Sequence, residues 1–291
     1  MNPDPGSSGP LVVVVLAHRD PPLVHRLVDR VTEGTNTIAA VHYDPRGPEL
    51  ALPGSDSVLL VPDPRPCNWG GMDLAQTMLR CIDFASRAVP DLSWVLLVSG
   101  QDYPCRSMAA MEQELRTSTA DAYLRWFKVG PDPSEDVHPW QARTRRRYLH
   151  RRRLPGSHRS VPFPRRPPFQ DGTHLYVGDM WVNLRASAVA HVIAQRGRLG
   201  RIERYLSRSS IPDEALLPSL LLNDAEHLDI VNDRRRYIRW IEGQPHPEFL
   251  TAADVPQISA SQDFFARKVD SARTGEVLDR LDALAAPATP A

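Results

Sequence analysis

The sequence predicts an α/β protein whose mostly parallel, Rossmann-like β-sheet is flanked by helices, and three observations support this prediction. Residues 11–17, 37–44 and 93–99 are short apolar runs without polar alternation, which is typical of strands buried on both faces. Residues 72–88 carry apolar side chains at helical spacing between two of these runs. Strands that alternate with helices along a chain favour a layered fold with a parallel sheet.

The remaining elements follow from the same patterns. Asp20, Pro21 and Pro22 are typical of a helix start, with an N-cap residue followed by first-turn prolines. Ser210 and Asp213 have the spacing of a capping box at the start of another helix. In chain order we expect strand 11–17, a helix from Pro21, strands 37–44 and 57–61, helix 72–88, strand 93–99, strand 174–184, helix 186–195, helix 212–223 and helix 275–284.

Composition argues against several classes of function. The chain of 291 residues has 35 basic and 35 acidic side chains, so no overall field favours a nucleic-acid polymer or a membrane as partner. The apolar run at 11–17 is too short for a leader or a transmembrane span. Cys67, Cys81 and Cys105 match no metal-binding spacing and are expected to be reduced thiols. We therefore expect a soluble, cytoplasmic protein, and the sequence does not indicate its oligomeric state.

Residues 143–166 form an arginine-rich segment with ten arginines and no acidic residue. Such a segment can be a solvated connection, can cover an acceptor or contact an anionic ligand, or can bind nucleic acid. The last interpretation is the weakest, because only Tyr148 and Phe163 place aromatic rings among the charges. The other two interpretations remain open at this point.

Polar side chains follow three of the predicted strands. His18 comes directly after the first strand, Asp44 lies at the end of the second, and Asp102 follows the fourth within "SGQDYP". Arg46 lies two residues beyond Asp44. In an open α/β sheet, ligands bind at the carboxyl ends of the strands. These residues are therefore candidates for a nucleotide site.

Two further segments and one helix start carry candidate site residues. Trp69 precedes Gly70 in "NWGG", where glycine lets a ligand approach the backbone closely before a helix. Glu214 lies in the first turn of a predicted helix, where an acid either favours the helix dipole or serves as a general base. Arg267 and Lys268 are adjacent in sequence. A guanidinium beside an ammonium group suits a diphosphate, although two such cations are also common on protein surfaces.

Taken together, eight segments in the same order resemble the core-2/I-branching N-acetylglucosaminyltransferase and peptide O-xylosyltransferase family, glycosyltransferase family 14. The resemblance extends over roughly residues 11–282, and "SGQDYP" is its most telling block. The segments are "LAHRD", "VHYDPR", "NWGGMDLAQTMLRCIDFA", "SWVLLVSGQDYPCRS", "YVGDMWVNLRASAVAHVI", "SSIPDEALLPSLLLN", "YIRWIEGQPHPEFL" and "FFARKVD".

The resemblance implies a GT-A fold and inverting transfer from a UDP-sugar, with no metal or other cofactor. It implies that Glu214 is the general base and that Arg267 and Lys268 neutralise the diphosphate. For the remaining site residues it implies donor contacts from His18, Asp44, Arg46, Trp69 and Gly70, and sugar or acceptor contacts from Asp102, Trp181 and Arg239.

The same resemblance predicts the domain organisation. We expect one GT-A catalytic domain over residues 11–284, with a nucleotide-binding half at 11–105 and an acceptor-binding, catalytic half at 106–284. Residues 1–10 and 285–291 are expected to be disordered. Because the chain lacks the stem and the many disulfides of the family's Golgi members, we expect a compact bacterial member.

The expected donor is UDP-glucose, UDP-N-acetylglucosamine or UDP-xylose, and the expected acceptor is a hydroxyl of a small molecule such as a nucleoside or another natural product. Two alternatives remain. A carboxylate-based hydrolase of sugars or sugar nucleotides needs a second acid near Glu214, supplied by Asp102 or Asp179. A non-catalytic protein that binds nucleotides or RNA would use the arginine-rich segment.

Overall fold

The computed structural model describes residues 9–34, 36–136, 138–154, 157, 159–165, 172–241, 244 and 246–286. The two termini predicted to be disordered lie outside these residues, except for Gly9, Pro10, Ala285 and Ala286. Ala285 is the last residue of a helix rather than the first residue of a tail.

All the elements predicted from the sequence are present. The strands are β1 (Leu11–Ala17), β2 (Thr37–Tyr43), β3 (Val58–Leu60), β4 (Trp94–Ser99), β5 (Asp102–Pro104), β6 (Ala122–Lys128), β7 (Arg151–Arg153), β8 (Ser160–Pro162), β9 (Tyr176–Arg185), β10 (Ile230–Val231), β11 (Arg236–Ile238) and β12 (Phe265–Arg267). The helices are α1 (Pro21–Thr32), α2 (Met72–Ala88), α3 (Met108–Thr117), α4 (Pro139–Leu149), α5 (Ala186–Arg198), α6 (Gly200–Leu206), α7 (Asp213–Leu222), α8 (Val255–Ala260) and α9 (Gly275–Ala285), with short 3-10 helices at Pro133–Glu135 and Ala252–Asp254.

The central sheet has seven strands in the order β10-β6-β9-β4-β1-β2-β3. Strand β1 pairs in parallel with β2 and β4, and β2 pairs in parallel with β3. Strand β9 runs antiparallel to its neighbours β4 and β6. The prediction of a mostly parallel sheet flanked by helices is confirmed, and the arrangement is consistent with a GT-A-like fold.

Strand β1 shows why the central sheet is buried on both sides. Val12 and Val14 face a core formed with α2, α5 and α7, while Val13 and Val15 face a second core formed with α1, α3 and α9. None of these four valines is accessible to solvent. Because successive side chains of a strand point to opposite faces, burial on both sides leaves no place for polar alternation.

The carboxyl ends of β1, β2 and β4 meet at one edge of the sheet. The amide of Asp44 donates to the carbonyl of Ala17 at 2.8 Å, and the amide of Gly100 donates to the carbonyl of Leu16 at 2.9 Å. A Cβ atom at Gly100 would lie 2.8 Å from the Cβ of Ala17. Glycine therefore permits this close approach, which brings His18, Asp44 and the turn after β4 to the same edge.

The arginine-rich segment is folded over most of its described length. Its first residues belong to α4, and strands β7 and β8 pair antiparallel beyond that helix. Tyr148 of α4 is fully buried, and its hydroxyl donates to the carbonyl of Ile211 at 2.5 Å. Tyr148 therefore packs this segment against the chain just before α7, while residues 161–164 remain exposed, so both the solvated and the covering interpretation stay open.

A second sheet has three strands in the order β11-β12-β5. Strand β12 pairs in parallel with β11 and antiparallel with β5, and this register places Arg267 opposite Asp102. These strands are not predictable from the sequence, because three-residue strands show no measurable periodicity and depend on their partners. The small sheet brings residues from distant parts of the chain to the edge where β4 ends.

Candidate functional site

Glu214 lies in the first turn of α7, whose N-cap residue is Pro212. The capping box expected from Ser210 and Asp213 is therefore wrong, because α7 has no side-chain cap. Asp213 is buried, and its Oδ1 has no hydrogen-bond partner among the described residues. Burial raises the pKa of Asp213 to about 6. Capping does not explain the two acids at this helix start.

Arg147 of α4 donates from Nη1 to Oε2 of Glu214 at 3.0 Å. Water reaches 37% of the Glu214 side-chain surface, but protein encloses the carboxylate on its other sides. This burial raises the pKa of Glu214 to about 8, while Arg147 lowers the pKa and the charges of Asp213 and Asp179 raise it further. A carboxyl group whose pKa lies near neutrality is suited to accept a proton from a substrate.

Asp102 at the start of β5 is completely buried. Its Oδ1 accepts a hydrogen bond from Nη1 of Arg236 at 2.5 Å, and its Oδ2 accepts from the amide and the hydroxyl of Ser99. Burial alone would raise the pKa of Asp102, but Arg236, Arg267 and the Ser99 bonds hold it below its ordinary value. The expectation that Asp102 contacts the sugar is therefore wrong. Asp102 lies beneath the surface and holds the charged side chains of Arg236 and Arg267 in place.

Trp181 of β9 lies close to two guanidinium groups. The Cζ of Arg267 is 3.9 Å from the Trp181 ring centre, and the Cζ of Arg236 is 4.8 Å from it. Within the part of the chain that the structure describes, the buried Nε of Arg267 has no hydrogen-bond partner. Its nearest carboxylate oxygen is Oδ1 of Asp102, at 3.8 Å. Stacking and charge thus hold Arg267 in place.

Lys268 extends this positive region towards the end of β1. Burial lowers the pKa of Lys268, and the nearby charges of Arg267 and Arg19 lower it further. Burial likewise lowers the pKa of His18, with Arg19 adding to the effect. Arg19 therefore lies within electrostatic reach of both His18 and Lys268. The sequence analysis did not single out Arg19, because one arginine after a strand has no distinguishing pattern.

Asp44 and Arg46 form one wall of the same edge. Arg46 donates from Nε and Nη2 to the Asp44 carboxylate at 3.0 and 2.8 Å, and the amide of Cys67 donates to Oδ2 at 2.8 Å. The hydrogen bonds from Arg46 hold the pKa of Asp44 well below its ordinary value. Since Asp44 is only 3% exposed, the expectation that it contacts the donor directly is corrected. Asp44 orients Arg46, whose side chain is half exposed.

Trp69 and Gly70 lie between Asp44 and α7. The Trp69 ring is 61% exposed and meets the His246 ring edge-on, with 5.6 Å between ring centres. Gly70 has a φ of +62°, and its carbonyl accepts from the amide of Ile211 at 3.1 Å and from Nη1 of Arg153 at 2.7 Å. These bonds fix the Trp69 loop to the chain three residues before Glu214.

Electrostatic interactions link several of the predicted site residues. The charge of Asp179 acts on both Glu214 and Arg267, and Arg267 acts on Lys268. Lys268 is in turn coupled through Arg19 to the end of β1. We call this region the cleft, defined by Glu214, Arg267, Lys268, His18 and Trp69. It contains one carboxyl group with a raised pKa and the basic side chains of Arg267, Lys268 and His18.

A comparison with protein-family models decides the family. The model described as Core-2/I-Branching enzyme matches residues 39–264, which is more than half of the chain. The chain belongs to the core-2/I-branching enzyme family. The resemblance seen in the eight sequence segments is therefore confirmed. Membership implies a glycosyltransferase, with a nucleotide-sugar donor and an acceptor. No curated protein matches the chain.

In this core-2/I-branching enzyme, Arg239 lies next to the cleft, since its amide donates to the carbonyl of Arg267 at 3.5 Å. Its Nη1 donates to Oγ1 of Thr251 at 3.0 Å and to Oδ2 of Asp254 at 3.1 Å. This ion pair holds the Arg239 side chain against the 3-10 helix that ends at Asp254, and the expected sugar or acceptor contact from Arg239 stays a prediction. The position of a residue in a matching segment does not by itself determine where its long side chain points.

The hydrolase alternative required a second acid near Glu214. Asp102 does not meet this requirement, since it is buried and paired with Arg236. Asp179 is close enough to influence Glu214, but its Oδ2 accepts from Nη1 of Arg234 at 2.7 Å. Neither carboxylate is placed as a free partner of Glu214, so the geometry does not favour the hydrolase.

Two further observations concern metals and membranes. Among the described residues, no three metal-ligating side chains of histidine, cysteine, aspartate or glutamate are grouped as a metal site would require. In the same part of the chain, no helix combines the length and the apolar character needed to cross a bilayer.

Proposed function

We propose that this core-2/I-branching enzyme is an inverting, metal-independent glycosyltransferase. It transfers glucose, N-acetylglucosamine or xylose from a UDP-sugar to a hydroxyl of a small-molecule acceptor, such as a nucleoside or another natural product. One observation carries the proposal. The carboxyl group of Glu214 is hydrogen-bonded to Arg147, and the charge of Asp179 acts both on Glu214 and on Arg267, the neighbour of Lys268.

Glu214 is the general base in this mechanism. Its carboxylate takes the proton of the acceptor hydroxyl as that oxygen forms a bond to the anomeric carbon of the donor. The bond between the anomeric carbon and the phosphate oxygen breaks, and UDP leaves with the electron pair. Attack on the face opposite UDP inverts the anomeric configuration. Arg147 orients the base and favours its ionised form.

The leaving diphosphate gains negative charge as this bond breaks. Arg267, Lys268 and Arg19 supply positive charge for it. Fixed charges of this kind lower the barrier when they are positioned before the reaction. Asp102 supports this role from below, since it holds Arg236 and Arg267 in place rather than presenting oxygens to a metal.

The donor lies along the edge formed by β1, β2 and the Trp69 loop. His18 and Arg46 are exposed enough to contact the nucleoside, whereas Asp44 acts through Arg46. Trp69 offers an exposed aromatic face for the sugar, and the positive φ of Gly70 turns the backbone before α2. Trp181, stacked with Arg267, forms the base of the cleft.

The proposed compartment is the cytoplasm. Cys67, Cys81 and Cys105 are all free thiols. Free cysteines are typical of proteins in a reducing compartment. This part of the proposal is independent of the transfer mechanism.

Acceptor dependence tests the proposed function. The three UDP-sugars are incubated with pools of nucleosides and other hydroxyl-bearing small molecules in EDTA, and both UDP release and new glycosides are measured. We expect acceptor-dependent release with one sugar and a β-linked product from the α-linked donor. UDP release that is equally fast without acceptor would instead identify a hydrolase, and an α-linked product would contradict inversion.

A further inference from the structure

A second concave region lies outside the cleft and is lined mainly by arginines. It is a solvent-open concavity of about 620 Å³ between α6 and the end of the arginine-rich segment. We call it the arginine groove, and define it by Arg152, Arg165, Arg201, Arg204 and Arg208, with Tyr205 beneath them. None of the residues assigned to donor or acceptor binding belongs to it.

The charges of the arginine groove are not balanced within the described part of the chain. The ion pairs found there include Arg145 with Asp136 and Arg147 with Glu214, both from the same segment. They include none of the five groove arginines. Arg201 and Arg204 lie three residues apart on α6 and so share one side of the helix, and Arg208 follows just after the helix ends. Such an arrangement costs stability unless an anion compensates for it.

The groove is also built in a fixed geometry. The Cζ of Arg165 lies 3.7 Å from the Tyr205 ring centre, and its Nη1 donates to Oγ of Ser209 at 2.6 Å. The Cζ of Arg152 lies 5.5 Å from the Phe163 ring centre. Rings that hold guanidinium groups in place reduce the rotamer entropy that ligand binding would otherwise cost.

Strand β7 separates the groove from the cleft. Arg153 donates to the carbonyl of Gly70 on the cleft side, whereas Arg152 lines the groove. Adjacent residues of a strand point to opposite faces, so a ligand in the groove does not occupy the donor site. Strand β7 borders both sites, and each site binds its ligand separately.

We propose that the arginine groove binds a small molecule carrying several phosphate charges, such as a di- or triphosphate or a phosphorylated metabolite. The planar guanidinium fork matches phosphate oxygens, and five cations require more than one negative charge to balance them. A cavity of this size suits a small ligand rather than a polymer. The proposal does not depend on the transferase mechanism, since it concerns binding at a separate site.

The test is calorimetric titration of the full-length protein with inorganic tripolyphosphate in EDTA. Four proteins are compared: wild type, the groove variant Arg204→Ala/Arg208→Ala, the control variant Arg116→Ala/Arg146→Ala, and Lys268→Ala. The groove and control variants lose the same charge from exposed positions. Thermal unfolding verifies that all four are folded. We expect saturable binding that weakens at least tenfold in the groove variant and persists in the control variant and in Lys268→Ala.

Three results would overturn the proposal. Equal weakening in the groove and control variants would show that general surface charge attracts the anion. Loss in Lys268→Ala alone would place the tripolyphosphate in the donor site. Binding of a short RNA or of anionic phospholipid vesicles that depends on Arg204 and Arg208, with no binding of tripolyphosphate, would identify a polymer or membrane surface instead.

Discussion

Arg147 donates a hydrogen bond of 3.0 Å to Glu214, and the two residues lie 67 positions apart in the chain. Arg147 comes from a segment that has the composition of a solvated loop, yet α4 places it on the proposed general base. The pair shows how the arginine-rich segment serves the cleft. It also makes the acidity of Glu214 adjustable by a residue that need not touch the substrate.

The pH dependence of transfer tests this pair. Glu214 must be ionised to accept a proton, so kcat/KM is expected to rise with pH through about 8. Arg147 lowers the pKa of Glu214, and therefore Arg147→Ala shifts this rising limb to higher pH. The neighbouring exposed residue provides a control, because Arg146→Ala removes the same charge away from Glu214. A limb that stays in place in Arg147→Ala would show that another group titrates.

Replacing the base separates chemistry from binding. Glu214→Gln keeps the size of the side chain but cannot take a proton, so transfer is expected to fall by about 10² to 10⁴. UDP affinity and unfolding temperature should remain close to those of the wild type. Glu276→Gln, at an exposed position of α9, is the matched control. Transfer that survives in Glu214→Gln would require a different base.

Stability should depend on the buried pair of Asp102 and Arg236. Asp102→Asn leaves the Arg236 charge buried without its partner, which is expected to cost about 3–5 kcal/mol in the free energy of unfolding. Asp83→Asn breaks an exposed pair with Arg87 and should cost about 0.5 kcal/mol or less. Urea unfolding measures both. Equal losses in the two variants would contradict the structural role of Asp102.

Acid should weaken the same pair. The pKa of Asp102 is lower in the folded protein than its ordinary value, so its contribution is present above the unfolded pKa of about 4. The contribution is lost as the pH falls through and below that value. Unfolding curves between pH 7 and pH 3 should therefore differ less between wild type and Asp102→Asn at the acidic end. A difference that is constant with pH would exclude this linkage.

Gly70 connects the Trp69 loop to α7, and its backbone conformation favours glycine. Gly70 has a φ of +62°, so Gly70→Ala is expected to cost roughly 1–2 kcal/mol in the free energy of unfolding. The substitution should also displace the loop from Ile211 and so raise the KM for the donor. Gly197→Ala in α5 is the control, because its new Cβ meets nothing within 4 Å and helices favour alanine. An unchanged KM in Gly70→Ala would show that the loop does not contact the donor.

The sequence was sufficient for the parts of the fold that a single periodicity determines. Burial on both sides leaves β1 as an unbroken apolar run, and the amphipathic face of α2 appears in the spacing of residues 72–88. The polar residues at the strand ends were also predictable, since parallel strands end at a common edge of the sheet. His18 and Asp44 lie where this rule places them.

Side-chain direction and pairing were not predictable in the same way. Arg239 and Arg147 are both arginines in unremarkable contexts, but tertiary packing directs one to Asp254 and the other to Glu214. Asp102 was expected to face a ligand, yet Arg236 and Ser99 bury it. Each of these side-chain pairings depends on a partner more than 10 positions away or on a three-residue strand. Neither a distant partner nor such a short strand leaves a pattern in the local sequence.

Calorimetric titration with UDP, in EDTA and then with Mn²⁺, tests the central claim most directly. The claim is that Arg267 and Lys268, rather than a metal, bind the diphosphate. It predicts micromolar UDP binding that is the same in EDTA and Mn²⁺ and that weakens more than tenfold in Lys268→Ala, whereas uridine binding is unchanged by that substitution. UDP binding that appears only with Mn²⁺ and is unaffected in Lys268→Ala would contradict it.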